Sequence, residues 1–266
     1  MRQRISFIVM GTVLAFALAA PPAAPQPAAP IEQGFSLDAR VVLNAYQALV
    51  EQELAGEILG LKALAATEEA RSGRWARIKG PLAAFAEGEP DAAAVVFSRP
   101  DGSYFSVEKG LTGETLKDRG YFPGLMAGHD VEGVLVISKS TGKKAVIVAT
   151  PIWAQGKVIG AFGVSTSVEK LAAQVDRQLG LPKGVVFYAL DAQGRTALHR
   201  DSALMFEFPS ELGSETLSEA VQEMLSKPNG SVTYQFRGAR KAVVFQRSEA
   251  TDWVFALGHT IAAPPP

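Results

Sequence analysis

Residues 95–168 constrain this chain more than any other stretch, because short apolar and aromatic runs alternate there with tight-turn signals. Val95-Val96-Phe97 leads into a turn at Asp101-Gly102, and a second aromatic run carries Tyr104 and Phe105. Two longer β-rich runs follow, separated by Ala154-Gln155-Gly156. Runs rich in β-branched and aromatic residues, bounded by Gly-containing turns, read as antiparallel strands joined by hairpins. Between the early and late strands, Arg119-Gly120-Tyr121-Phe122 opens a short helix.

A second copy of the pattern lies downstream. Val185-Val186-Phe187 matches Val95-Val96-Phe97, and each precedes a turn containing Asp and Gly. Lys241-Ala242-Val243 matches Lys144-Ala145-Val146, and Phe255-Ala256-Leu257-Gly258 matches Gly160-Ala161-Phe162-Gly163. Similar offsets across three matches point to a duplicated unit. Residues 168–179 read as a connecting helix stopped by Gly180 and Pro182, and residues 215–226 as an amphipathic helix within the second copy.

Ahead of the first copy, Leu43, Tyr46, Val50, Leu54, Ile58, Leu61 and Ala65 recur in steps of three and four. That is one face of a helix, with Ser36 as its cap. Nothing halts the pattern before Ser72-Gly73, so a helix of about 35 residues, about 50 Å long, is expected to span both copies. The fold expected is α+β: a long N-terminal helix carrying two antiparallel sheet modules. The corresponding segments are 36–72 for the helix, 73–179 for the first module, 180–259 for a smaller second module and 260–266 for a tail.

The first twenty residues have the form of an export signal: Arg2 and Arg4, an apolar run over residues 5–20, and small residues Ala17-Leu18-Ala19 near its end. The run is long for a cleaved signal and short for a span, so cleavage and anchoring in the inner membrane by residues 5–20 both remain open. Residues 21–35 form a Pro/Ala-rich linker. Either way the expected location is periplasmic. A net charge of -1 gives no reason to expect nucleic acid as a partner. The absence of cysteine excludes disulfides, thiolate metal sites and a lipoprotein anchor.

Catalytic constellations are missing. His129, His199 and His259 are scattered without metal spacing, and neither a nucleophile elbow nor a phosphate loop is present. No cofactor, no metal and no enzyme activity are expected. Lys139, Lys143 and Lys144 around Thr141-Gly142 read as a solvated hairpin tip.

The order of strands, turns and the Arg-Gly-Tyr-Phe tetrad resembles the double Cache family, the PAS-like extracytoplasmic sensor domains of bacterial chemoreceptors and histidine kinases. The resemblance covers roughly residues 37–258. It implies a ligand pocket in the first module, with Arg119 holding a ligand carboxylate and Tyr121 adding a hydrogen bond. A guanidinium offers the planar fork of donors that a carboxylate needs. An ion pair with Asp118 or Glu114 is the alternative use of Arg119. Tyr104 is a further candidate, although alternation cannot say whether it or Phe105 faces the pocket. Relatives that bind amino acids usually carry Asp where this chain has Ser165, so the ligand expected here is a small organic carboxylate without an ammonium. Ser138 and Thr150 are candidate hydrogen-bonding residues. The second copy lacks the tetrad and reads as structural.

The function expected is therefore an exported sensor or ligand-binding protein that signals through a separate membrane partner, with a homodimer through the long helix. The alternative is an exported structural or interaction protein with a vestigial pocket.

Overall fold

The computed structural model describes residues 38–261. The export segment, the linker, the Ser36 cap and the last five residues of the tail lie outside the described residues. Among those described, no helix is long and apolar enough to cross a membrane.

Helix α1 (Ala39–Ala65) has 27 residues, about 40 Å. Asp38 caps it by accepting from the Arg40 amide. The helix is shorter than its apolar pattern predicts, because Thr67 interrupts it. The Thr67 hydroxyl donates to the Leu64 carbonyl at 2.8 Å and accepts from the Ala70 amide at 3.2 Å, which ends one helix and starts another. Helices α2 (Glu68–Arg71) and α3 (Trp75–Glu87) follow. The sequence reading did not foresee α3.

The first sheet contains β1 (Ala92–Ser98), β2 (Ser103–Ser106), β3 (Gly110–Thr115), β4 (Val131–Ile137), β5 (Lys144–Ala154) and β6 (Lys157–Ser167), in the order β3-β2-β1-β6-β5-β4. Helix α4 (Phe122–Met126) lies between β3 and β4, and α5 (Val168–Leu179) leads out of the sheet. The second sheet contains β7 (Val185–Leu190), β8 (Thr196–His199), β9 (Asn229–Phe236), β10 (Ala239–Arg247) and β11 (Val254–Ile261), in the order β8-β7-β11-β10-β9. Helix α6 (Glu215–Ser226) falls between β8 and β9. All strand pairings are antiparallel. The second order repeats the first with β3 removed, so the duplication expected from sequence appears as repeated topology. Strand β11 runs two residues past the expected module boundary.

Two of the three sequence matches keep their face. Phe97 and Phe187, and likewise Phe162 and Leu257, all join the core beneath α1. The Lys-Ala-Val match does not. Gly163 pairs with Ala149 and Gly258 with Val243, which aligns the strands three residues away from that match. An odd slip reverses faces. Ala145 therefore points away from α1, whereas Ala242 shares the α1 side with Val244.

The α1 stripe unites the two modules. Val95, Phe97, Val148 and Phe162 of the first sheet share one core with Phe187, Phe255 and Leu257 of the second. Tyr46 of α1 lies 5.0 Å, ring to ring, from both Phe187 and Phe255. Buried Trp253 donates from Nε1 to the Gly133 carbonyl of β4 at 2.8 Å, a direct link between modules. Two glycines are dictated by the backbone. The β5–β6 hairpin turns on Gln155 and Gly156, both at positive φ, as a two-residue turn requires. Gly160 lets β6 approach β1 so closely that a Cβ would stand 2.6 Å from the Ser98 carbonyl oxygen.

Candidate functional site

The outer face of the first sheet, away from α1, is lined by small residues. Ser165 pairs with Ala94 on one side and Ile147 on the other. Leu116 and α4 cover part of this face, and Tyr104, Leu116 and Phe122 pack together with Val96. What remains is a cavity of about 30 Å³ with Ser165 and Ile147 at its floor, Tyr104 and Tyr121 in its walls, and Arg119, Ser138, Lys139 and Ser140 at its rim. That holds a few waters at most, well below the roughly 300 Å³ of ordinary ligand sites.

Tyr121 sits at the N-cap position of α4, with Pro123 in the first turn, where its missing N–H is harmless. Burial pushes its hydroxyl up to about 12, against the opposing pull of Arg119, so it is a neutral donor at any physiological pH. Half-buried Arg119 donates from one Nη to the Ile137 carbonyl at 2.6 Å. Among the described residues it makes no ion pair: Asp118 instead takes Lys139 at 2.6 Å. Lys139 also donates to the Thr115 carbonyl at 2.7 Å, and Lys109 to the Ser140 carbonyl at 2.5 Å. These contacts join the β3 edge of the sheet to the β4–β5 hairpin beside the cavity. Lys139 is thus a latch rather than a solvated tip, and Lys144 reaches across to the Met205 carbonyl of the second module at 2.7 Å.

Five of the six candidate residues meet at this cavity: Arg119, Tyr121, Tyr104, Ser138 and Ser165. Thr150 does not. It lies in step with Val146 and Val148 on the α1 side of β5, and its hydroxyl donates to Asp130 at 2.7 Å. Ser138 and Ser140 hydroxyls lie 3.2 Å apart. No carboxylate of the described residues lines the cavity. Arg119 and Tyr121 also line an open groove of about 480 Å³ between the modules, bordered by Arg195, Asp191 and Trp253. Sequence reasoning missed Lys139, Lys109 and this groove. A local pattern gives no sign of them, since the contacts span 21 to 31 residues.

The second module differs. Its outer face carries Tyr188, Leu190, Val232 and Phe245, and α6 covers it with Leu217, Val221 and Met224. Its arginine, Arg200, donates to the carbonyls of Leu181, Pro182 and Val185 at 2.6–2.9 Å. It also lies 3.0 Å from Asp176, without the alignment of a hydrogen bond.

No family model and no curated protein sequence matches the chain. Solved structures do. The fold is similar to an extracellular ligand-binding receptor from Desulfohalobium retbaense, with a TM-score of 0.68 at 15% identity over 86% of this chain; the match spans only 42% of that receptor. It is similar to the ligand-binding domain of the Pseudomonas aeruginosa amino acid chemoreceptor PctB in complex with L-Arg, with a TM-score of 0.65 at 14% identity over 83% of this chain and 93% of that one. It is also similar to the ligand-binding domain of the Campylobacter jejuni chemoreceptor Tlp3 in complex with 4-methylisoleucine, with a TM-score of 0.62 at 13% identity over 83% and 88%. The chain has the double Cache fold of extracellular sensor domains.

Proposed function

We propose that the protein is an extracytoplasmic sensor whose first module binds a small organic carboxylate. The observation that carries this reading is a small cavity lined by an arginine that has no carboxylate partner among the described residues, by hydroxyls, and by no acidic side chain of those residues. Arg119 would hold the carboxylate, and Tyr121, Tyr104 and Ser138 would add hydrogen bonds. Ser165 is neutral, so an ammonium buried beside it would lack a counter-charge, which disfavours amino acids of the kind found in the PctB and Tlp3 structures. The cavity's size selects a short acid unless the Lys139 and Lys109 latches open. Export and a separate membrane partner complete the reading. A homodimer through α1 is supported by Val41 and Leu59, exposed apolar residues about five turns apart and so on one stripe. The small volume itself favours the competing reading, a structural protein with a vestigial pocket.

A thermal-shift screen of organic acids, amino acids and amines separates the two. A bound acid at about 100 times its Kd should stabilise the fold by about 2.7 kcal/mol, and Arg119→Ala should remove that gain. If no acid shifts the melting of the native chain, the pocket is vestigial.

A further inference from the structure

A second polar cluster lies on the α1 side of the first module. Glu53 and Glu57 are one turn apart on α1, and Glu89 lies in the connection between α3 and β1. Each offers a carboxylate oxygen, and the three oxygens lie within 4.8 Å of one another. Glu57 is only 3% exposed. One of its oxygens accepts from the Thr166 hydroxyl, and the other, Oε2, is buried without any hydrogen-bond partner.

No ion pair among the described residues involves these three side chains. The ammonium of Lys170 is taken by Asp91 and the Pro90 carbonyl, and that of Lys62 by Asp130. The neutral amide of Gln174, 3.3 Å from Glu53, is the remaining donor. Three clustered carboxylates with one buried, unpartnered oxygen are unfavourable unless a proton or a cation joins them. Calcium is commonly held by several carboxylate oxygens of the protein, whereas magnesium usually keeps several of its waters and takes only one or two carboxylates.

We propose that Glu53, Glu57 and Glu89 bind a divalent cation, calcium in preference to magnesium, with Thr166 orienting the Glu57 carboxylate. The ion ties α1 to the α3–β1 connection. It also reaches β6 through Thr166, the residue next to Ser165 of the cavity floor. Thr166 and Ser165 project from opposite faces of β6, so one strand serves both sites. This departs from the sequence expectation of no metal site, which weighed only histidines and cysteines; Glu89 approaches the other two only in the folded chain.

Titration of the full chain, stripped with chelator, with calcium chloride in a calorimeter tests this directly. One ion per chain should bind, with a rise in melting temperature that magnesium reproduces only at higher concentration. Glu89→Gln, at a half-buried position that leaves the core intact, should weaken calcium binding at least tenfold, and Glu57→Gln should do the same. Absence of heat and of any melting shift at millimolar calcium overturns the proposal. So does calcium binding that is unchanged in Glu89→Gln, since the ion must then sit elsewhere.

Discussion

On its outer face the first sheet carries Ala94, Ala149 and Ser165 beside Val96 and Ile147, whereas the second carries Tyr188, Leu190, Val243 and Phe245; the strand at the centre keeps small residues in both, Ala161 and Gly163 in one and Ala256 and Gly258 in the other. The connection that crosses this face differs in the same sense. In the first module it supplies β3 and the five-residue α4; in the second it supplies the 12-residue α6, whose apolar side fills the space. One topology thus serves as a container in one copy and as a packed core in the other. Side-chain volume and the length of one helix decide which. The arginines follow suit: Arg200 is saturated by three carbonyls, while Arg119 donates to one and keeps the rest of its fork unpaired.

The largest expected effect comes from emptying the packed side. Phe245 is fully buried, so Phe245→Ala should cost about 3–5 kcal/mol in urea unfolding while leaving any ligand bound in the first module undisturbed. If ligand affinity fell with it, the modules would not be separable in this way.

Acid should also act through the second module. Burial, with a small contribution from Arg237, lowers His199 to about 4, against the opposing influence of Asp201. Its Nδ1 accepts from the Asp201 amide at 2.7 Å, and its ring stacks on Tyr188. The folded state therefore favours the neutral ring, and the unfolded chain takes up the proton first. Stability should be fully present above pH 6.5 and fall as pH drops toward 4, by about 3 kcal/mol at most. Unfolding measured across that range should show the loss, and His199→Phe should flatten it.

The arginines give a smaller contrast. Without ligand, Arg200→Ala should destabilise by about 2 kcal/mol, because three carbonyls lose a charged donor. Arg119→Ala should cost under about 1 kcal/mol by the same measurement, since one partly exposed carbonyl regains water. Equal costs would mean that Arg119 is as structural as Arg200.

The smallest expected change is one of selectivity. Ser165→Asp places a carboxylate opposite Arg119, so carboxylate binding should weaken about tenfold, or about 1.4 kcal/mol, and ligands with an ammonium should gain. Calorimetry with a matched acid and amino acid would register this; unchanged selectivity would move Ser165 out of the site.

Strands, turns and helix ends were written locally. Residues 168–179 and 215–226 form helices as their caps dictate, with Ser167 and Ser214 accepting at the N-termini and Gly180 left-handed at the end of the first. The α1 stripe declared its buried face by spacing alone. Five candidate residues for one cavity could be chosen because the tetrad and the strand that carries Ser165 flank a single sheet. What stayed hidden depended on register or on distant partners. Alternation says that Tyr104 and Phe105 face opposite ways, but only the pairing of Ser98 with Tyr104 fixes Tyr104 outward. The pairing of Ile147 with Ser165 then puts Thr150, three residues along β5, on the other face. Asp118 had two neighbouring cations to choose from, and only folding brought Lys139 within reach. Periodicity is a property of the chain, and so the sequence determined it; register, the lining of the cavity and the meeting of Glu53, Glu57 and Glu89 are properties of distances between segments, and only the tertiary structure could decide them.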